Sequence, residues 1–292
     1  MIPFEMAEPA SLKEAVAMLD AQDPTIRPLA GGTALMLMMK AGVFRPTRLV
    51  SLHRVEPDHA RIAINGSGDL RIGALATLRA LEHDPNIAAH FPVLKRALRT
   101  LSNPRVRNVA RVGGALAHGD PHMDLPPVLA ALGARISIAG PIGTRELPLA
   151  KLYTGYYETV LARNELIAAV TVPALAGRKA AYVKVTARSA DDWPALGIAV
   201  SFTLKDGAAH DPTVVVSAAT EKVTRLADAE RALHGASLDD ALLRHVGDAA
   251  ANEAVLLTDA HGSAAYKREL LRVYLRRTVR QACDGGAGAH QP

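Results

Sequence analysis

Two pairs of adjacent glycines, far apart in the chain, constrain how this protein can fold. Gly31-Gly32 separates a short stretch at residues 25–29 from an apolar run at residues 35–39, which predicts a strand, a tight turn and a helix. Gly113-Gly114 lies in a segment at residues 105–126 and is followed by a polar run that is too long for an ordinary turn. Neither pair has the spacing of the G-x-G-x-x-G fingerprint or of a P-loop, which argues against those two nucleotide-binding folds.

The first part of the chain, residues 1–55, is predicted to be a small α/β lobe. Ser11 and Glu14 have the spacing of a capping box ahead of a first helix. The strand, turn and helix around Gly31-Gly32 follow, and residues 48–52 form the next predicted strand.

The remaining chain is predicted to form two further units, so that the fold class is α+β. Residues 56–176 contain short strands at 61–64, 70–73 and 135–138, with helices around 77–83 and 92–101. Residues 177–284 contain strands near 180–186, 196–205 and 212–219, followed by helices near 226–233, 238–252 and 263–282. Residues 285–292 are predicted to be a disordered tail.

Composition excludes several classes of protein. No apolar run approaches the roughly 20 residues of a membrane span, and the N-terminus lacks a secretory signal, so we expect a cytoplasmic protein. The net charge of +5 suits a phosphate-bearing ligand or an acidic partner. Because the basic residues are dispersed and aromatic residues make up only 4%, no nucleic-acid partner is expected.

The cysteine content limits the metal chemistry that the chain can perform. Cys283 is the only cysteine, so neither an internal disulfide nor a cysteine-ligated iron–sulfur or zinc site can form. His118, Asp120, His122 and Asp124 could supply nitrogen and oxygen ligands. Adjacent prolines and the lack of a second ligand cluster favour a solvated loop, or one around a cofactor, and no metal site is predicted.

The second glycine segment carries the residue types that an organic cofactor needs. Glycine amides suit a pyrophosphate, a carboxylate suits ribityl or ribose hydroxyls, and basic groups suit the residual negative charge. Each glycine pair taken alone also fits an ordinary strand-to-helix turn. The two pairs together favour the cofactor interpretation.

Taken with these segments, nearly the whole chain resembles the FAD-binding subunit of the molybdenum hydroxylases, a family that includes carbon monoxide dehydrogenase medium chains and the flavin domain of xanthine dehydrogenase. The segments that carry the resemblance are Ile72-Gly73-Ala74-Leu75-Ala76-Thr77, residues 107–126, residues 155–159, Glu165-Leu166-Ile167, Val172-Pro173, Tyr182-Val183-Lys184, Arg188, Asp192-Trp193-Pro194 and residues 266–270. The resemblance implies a two-lobed FAD-binding fold of the vanillyl-alcohol-oxidase/PCMH type. It also implies a C-terminal lobe of a small antiparallel sheet with helices.

The resemblance implies a set of residues that bind FAD. The loops at the pyrophosphate correspond to Leu29, Ala30, Gly31, Gly32, Thr33, Ala34 and Leu35, and to Arg111, Val112, Gly113 and Gly114. The remaining implied contacts are Leu101, His118, the acidic Asp124, the apolar Leu166 and Ile167 near the ring system, the basic Lys184, and Trp193. For Trp193, cover over the isoalloxazine and simple core packing both remain open.

Two positions depart from the family pattern. Arg111 stands where a hydroxyl residue is usual before the second glycine pair, and Ala34 stands where a polar side chain is common after the first. Loss of a hydroxyl donor costs about 1 kcal/mol, whereas an arginine can offer a charge-assisted contact worth about 1.5–3 kcal/mol. We therefore expect FAD binding to survive.

The resemblance implies electron transfer rather than substrate chemistry, and no catalytic acid, base or nucleophile is predicted. Electrons would arrive from an iron–sulfur small subunit, which takes them from a molybdopterin large subunit, in a dimer of heterotrimers. The lack of cysteine ligands agrees with that division of labour. Two alternatives remain: a free-standing flavin- or ligand-binding protein, and direct substrate oxidation at this flavin with His118 or His122 as the base.

Overall fold

The computed structural model describes residues 3–285, so residues 286–292 of the predicted tail lie outside the described part of the chain. The first elements form a three-stranded parallel sheet in the order β1-β3-β2. They are β1 (Glu5–Ala7), α1 (Leu12–Ala17), β2 (Ile26–Leu29), α2 (Thr33–Lys40) and β3 (Arg48–Ser51). Ser11 caps α1 by accepting a hydrogen bond from the Glu14 amide at 3.0 Å, as its spacing predicts.

The middle of the chain contains a five-stranded antiparallel sheet in the order β4-β5-β10-β6-β7, and a two-stranded hairpin of β8 and β9. Its strands are β4 (Ile62–Ile64), β5 (Leu70–Gly73), β6 (Arg135–Gly140), β7 (Gly143–Pro148), β8 (Tyr153–Gly155), β9 (Glu158–Thr159) and β10 (Leu166–Val172). Its helices are α3 (Leu78–His83), α4 (Pro85–His90), α5 (Pro92–Thr100), α6 (Pro104–Val109), α7 (Val112–Ala117) and α8 (Leu125–Ala131).

The second glycine pair lies in a helix, whereas the resemblance had implied a loop. Helices α6, α7 and α8 occupy most of residues 104–131, and Gly113-Gly114 lies within α7. Each of these helices has only six or seven residues, which is too short for a helical hydrophobic period to be recognised. The loop is confined to residues 118–124.

The last part of the chain is a four-stranded antiparallel sheet in the order β11-β12-β13-β14, covered by helices. Its elements are β11 (Lys179–Val185), β12 (Leu196–Lys205), β13 (Ala208–Ser217), β14 (Thr224–Arg225), α9 (Ala227–Leu233), α10 (Asp240–Glu253) and α11 (Ala264–Cys283). Phe202 of β12 and Leu275 of α11 are fully buried in the core between sheet and helices. The predicted order of strands before helices agrees with these elements.

Buried side chains join the three sheets. Tyr182 of β11 and Ala199 of β12 belong to the same buried cluster as Phe91 and Leu129 of the middle part. Leu166 of β10 packs in a second cluster with residues of α1 and β3. Within residues 3–285, no helix combines the length and the apolar character that crossing a membrane requires.

Candidate functional site

The two glycine segments lie against each other. A Cβ on Gly31 would sit 2.2 Å from the carbonyl oxygen of Val109 and 2.7 Å from the Cα of Ala110, so only glycine permits this backbone contact. A Cβ on Gly114 would sit 3.6 Å from the Cβ of Ala30. The turn after β2 and the start of α7 therefore form one continuous surface.

The first segment presents unused backbone amides. Gly32 caps α2 in the left-handed conformation, with a φ of 70°. The Met36 amide makes the first helical bond, to the Gly32 carbonyl at 2.9 Å, so the amides of Thr33, Ala34 and Leu35 precede the hydrogen-bond ladder. Residues 25–36 are all half-buried. The positive end of α2 thus faces an accessible surface where an anion can bind.

In the second segment, two of the three amides are already engaged. Val112 donates to the Ala76 carbonyl at 3.0 Å, and Gly113 donates to the Ala74 carbonyl at 2.7 Å. A Cβ on Gly113 would also lie 2.7 Å from the Cβ of Ala74. These contacts fix α7 to the strand-end segment at residues 74–76. Gly114 is the exposed member of the segment and faces Ala30.

The two positions that depart from the family pattern have different surroundings. The Arg111 guanidinium donates to the Leu75 carbonyl at 2.7 Å, and partial burial lowers the pKa of Arg111. One N–H group of the Arg111 guanidinium is therefore used in a hydrogen bond to the protein backbone. Ala34 lies in the first turn of α2, where its amide rather than its side chain is the polar group.

Asp124 and Lys184 form a buried ion pair. Lys184 Nζ lies 3.0 Å from Asp124 Oδ2 and donates to the Thr100 carbonyl at 2.9 Å, while the Tyr182 hydroxyl donates to Asp124 Oδ1 at 2.6 Å. Burial raises the pKa of the Asp124 carboxyl, and the Lys184 ammonium and the Tyr182 hydroxyl oppose that shift. The pair connects the start of α8 to β11. Sequence reasoning gave no role to Tyr182, although alternation along β11 places it on the same face as Lys184.

The predicted apolar contacts lie in the interior. Leu166 and Ile167 are adjacent buried residues of β10 that belong to different clusters, Leu166 with the N-terminal part and Ile167 with the middle part. Leu101 is buried at the end of α5, and its carbonyl accepts a hydrogen bond from Arg107 at 3.2 Å. Leu29, at the end of β2, is half-buried beside the first glycine pair.

His118 lies at the end of α7, with its ring 5.0 Å from the ring of Tyr157. Burial lowers the pKa of His118, although the Asp120 carboxylate acts in the opposite direction. Burial would raise the pKa of Asp120, but hydrogen bonds from the side chain and amide of His122 outweigh it and hold that pKa below its usual value. Asp120 is therefore a buried carboxylate that sequence reasoning considered only as a metal ligand.

Trp193 packs on His122, with ring centroids 5.7 Å apart and ring planes inclined by 17°. Trp193 is 53% exposed, so the interpretation of a core tryptophan is wrong. His122 contacts carboxylates at both ring nitrogens and is not positioned as an unengaged base. Among residues 3–285, no cluster of three or more His, Cys, Asp or Glu side chains is arranged to hold a metal ion.

Two family descriptions match consecutive parts of the chain. Residues 2–175 match the FAD binding domain in molybdopterin dehydrogenase, and residues 181–282 match the CO dehydrogenase flavoprotein C-terminal domain. The chain belongs to the FAD-binding subunits of the molybdopterin dehydrogenases. It is a medium, FAD-binding subunit of the molybdenum hydroxylase type, an oxidoreductase component whose cofactor is FAD.

Individual relatives cover almost the whole flavin subunit. It is 31% identical to the carbon monoxide dehydrogenase medium chain of Afipia carboxidovorans, over 97% of this chain and 98% of that protein. It is 29% identical to the glyceraldehyde dehydrogenase medium chain of Sulfolobus acidocaldarius, over 95% and 98% of the two chains. Because such relatives are named as medium chains, the alternative of a free-standing binding protein is not favoured.

The fold of the flavin subunit is also similar to solved structures. A chain of carbon monoxide dehydrogenase from Hydrogenophaga pseudoflava, in a form that lacks the Mo-pyranopterin moiety, superposes with a TM-score of 0.93 and 32% identity. The superposition covers 98% of this chain and 99% of that one. The mixed arrangement of helices and sheets is therefore that of the family.

The residues of this structure fit FAD. Unused amides at the start of α2 provide donors for a pyrophosphate, and Gly114 leaves a surface without a side chain beside them. Trp193 provides an exposed aromatic ring. These are the two kinds of contact that a dinucleotide with a flat ring system requires.

The contact of Gly31 with Val109 predicts a large cost for the substitution Gly31→Ala. The added Cβ would overlap the backbone of residues 109–110, so we expect the free energy of unfolding to fall by about 1–3 kcal/mol. Gly66→Ala is the matched control, because a Cβ there has open space around it. Urea unfolding measures both variants, and equal stabilities would show that the two segments are not packed in this way.

The buried ion pair predicts that Lys184→Met destabilises the flavin subunit strongly. Removal of the ammonium leaves Asp124 as a buried carboxylate without its countercharge, which costs about 3–5 kcal/mol. The double variant Lys184→Met/Asp124→Asn should lose less than Lys184→Met alone, because no buried charge remains. Unfolding free energies at neutral pH measure the difference, and equal losses in both variants would contradict the prediction.

Asp120 predicts a specific pH dependence of stability. Its pKa is lower in the folded than in the unfolded protein, so its contribution is complete above the unfolded value of about 4 and disappears as the pH falls through the folded value. We expect Asp120→Asn to cost about 1–3 kcal/mol at neutral pH, and the difference from the original chain to shrink in acid. Denaturant unfolding at several pH values measures this, with the exposed Asp191→Asn as control; a difference that grows in acid would refute it.

Proposed function

We propose that the first glycine turn and Gly114 together hold the pyrophosphate of FAD. The observation that carries this proposal is the contact between the two segments: the exposed Gly114 lies beside Ala30, in the turn that leads to the amides of Thr33, Ala34 and Leu35. Val112, Gly113 and Arg111 act indirectly, by fixing α7 against residues 74–76. In this arrangement backbone donors, rather than side-chain cations, neutralise the diphosphate charge.

The other proposed contacts surround the rest of the cofactor. Trp193 and His118 offer aromatic surfaces to the isoalloxazine, while Leu166 and Ile167 support the site from the interior, each in a different buried cluster. Asp124, which the resemblance assigns to a direct contact with the cofactor, is enclosed by Lys184 and Tyr182, so we assign it an indirect role in fixing the start of α8 beside the cofactor. Leu29 and Leu101 support these surfaces from the ends of β2 and α5.

When bound, FAD supplies the redox chemistry, and this chain holds it between an electron donor and an acceptor. We propose that the donor is an iron–sulfur small subunit, which is reduced by a molybdopterin large subunit, in a dimer of heterotrimers in the cytoplasm. Two observations support the proposal: relatives are named as medium chains, and a chain with one cysteine cannot ligate an iron–sulfur cluster through cysteines. Relatives named for carbon monoxide and for glyceraldehyde have similar identity to this chain, which supports assigning the choice of substrate to the large subunit.

The proposal includes the finer organisation of the fold. The lobes that enclose FAD would be residues 1–55 and 56–176, in an arrangement of the vanillyl-alcohol-oxidase/PCMH type, followed by a separate domain at residues 177–284. The three larger sheets, one in each of these ranges, support this division.

The decisive test is the substitution Gly114→Val. Its side chain would extend into the proposed pyrophosphate surface, where a Cβ makes only an ordinary contact with Ala30, so FAD binding should weaken without a large loss of stability. We expect the dissociation constant for FAD to rise about tenfold or more, which corresponds to about 1.4 kcal/mol. Fluorescence titration of the apoprotein measures it, alongside urea unfolding, with the exposed Gly66→Val as control. Unchanged affinity in Gly114→Val would overturn the assignment.

A further inference from the structure

The indole of Trp193 rests on a ring that is itself firmly held. Trp193 lies between β11 and β12, at the end of a loop whose residues 187–191 are exposed, and more than half of its surface is accessible. The imidazole of His122 is only 7% exposed and lies nearly parallel to the indole, at a centroid distance of 5.7 Å. Such an offset stack stabilises an aromatic pair beyond the burial of its surface area.

Contacts at both ring nitrogens fix the orientation of His122. Its Nδ1 lies 3.0 Å from Asp120 Oδ1, which also accepts the His122 backbone amide at 2.9 Å. Its Nε2 lies 3.5 Å from Asp259 Oδ2. Since the two carboxylates stand at opposite sides of the imidazole, rotation of the ring would break at least one contact.

The second carboxylate is anchored in the C-terminal part of the chain. Lys267 of α11 is fully buried, and its Nζ lies 2.6 Å from Asp259 Oδ2. Asp259 Oδ1 accepts the amide of His261 at 2.8 Å. The His261 ring lies 5.3 Å from the ring of His122, so it adds a further neighbour on this side.

We propose that His122 is the positioning residue for Trp193. The chain of contacts from Asp120 through His122 to Asp259 and Lys267 holds the imidazole in place, and the stack on that imidazole restricts the rotamers of an indole that is otherwise largely exposed. This inference rests on the proposed function, in which Trp193 covers the isoalloxazine. A pre-ordered indole loses less conformational entropy when a planar ring binds, so the platform increases affinity for FAD.

The test uses the fact that Trp193 is the only tryptophan of the chain. Fluorescence excited selectively at tryptophan therefore reports on this side chain alone, even in the apoprotein. His122→Gln retains hydrogen-bonding groups and removes the aromatic ring, whereas His122→Phe retains a ring and removes the hydrogen bonds. If His122 acts only through its hydrogen bonds, the Gln variant should resemble the original chain more closely than the Phe variant does. If His122 acts through the stack on Trp193, the Phe variant should resemble it more closely.

We expect His122→Gln to lower the fluorescence anisotropy of Trp193 and to shift its emission to longer wavelength. We expect His122→Phe, which keeps a ring but loses the two contacts that orient it, to lie between His122→Gln and the original chain in both properties. The dissociation constant for FAD should rise about threefold to tenfold in His122→Gln, because this is the loss of affinity that the free energy of one aromatic stack corresponds to. His210→Gln is the control, since His210 pairs with His234 elsewhere in the C-terminal part.

Circular dichroism and urea unfolding identify variants that fail to fold. If His122→Gln does not fold, the comparison of His122→Phe with the original chain is the test. Anisotropy and emission that are unchanged in His122→Gln, or changed equally in the Gln and Phe variants, would overturn the positioning role. A different result would count against the proposed function alone: FAD binds to the original chain without quenching Trp193, while His122→Gln still lowers anisotropy. That result would remove Trp193 from the flavin surface and retain the His122 platform.

Discussion

The backbone of Gly31 lies so close to the backbone of Val109 and Ala110 that no side chain can stand between them, and the geometry of the candidate site depends on this contact. It brings the turn after β2 against the junction of α6 and α7. Hydrogen bonds from Val112 and Gly113 to residues 74–76 then fix α7 to the end of the five-stranded sheet. The surface proposed to bind the pyrophosphate is thereby held by main-chain contacts between two distant segments.

Residues 118–124 link the middle of the chain to its C-terminal part. The Gly119 carbonyl accepts the Tyr157 amide at 3.2 Å, and the Pro121 carbonyl accepts the Ala218 amide at 2.8 Å. Asp124 and His122 add polar side-chain contacts to β11 and to Asp259. Buried charges are costly unless they are paired, so each of these contacts restricts how the two parts can be arranged. The segment thus combines proposed cofactor contacts with the packing of the C-terminal sheet.

Much of the fold could be predicted because its signals are local. The capping box at Ser11, the strand, turn and helix around Gly31-Gly32, and the apolar strands of the C-terminal sheet each depend on residues a few positions apart. Strand β1 was missed because three residues show no recognisable alternation. Helices α4, α6, α7 and α8 were missed because six or seven residues form less than two turns, and such helices are stabilised by tertiary packing.

By itself, the sequence determined the family resemblance, the need for a partner to carry any cysteine-ligated cluster, and the residues at which a dinucleotide cofactor was expected. Only the tertiary structure decided which of these groups are accessible. In the folded protein, the amides of Val112 and Gly113 donate hydrogen bonds to residues 74–76, and Asp124 is enclosed by Lys184 and Tyr182. Gly114 and Trp193 remain exposed. The tertiary structure also placed Asp259 beside His122, 137 positions away in the chain. Hydrogen-bond partners and burial depend on contacts between distant segments, and local sequence patterns do not encode those distances.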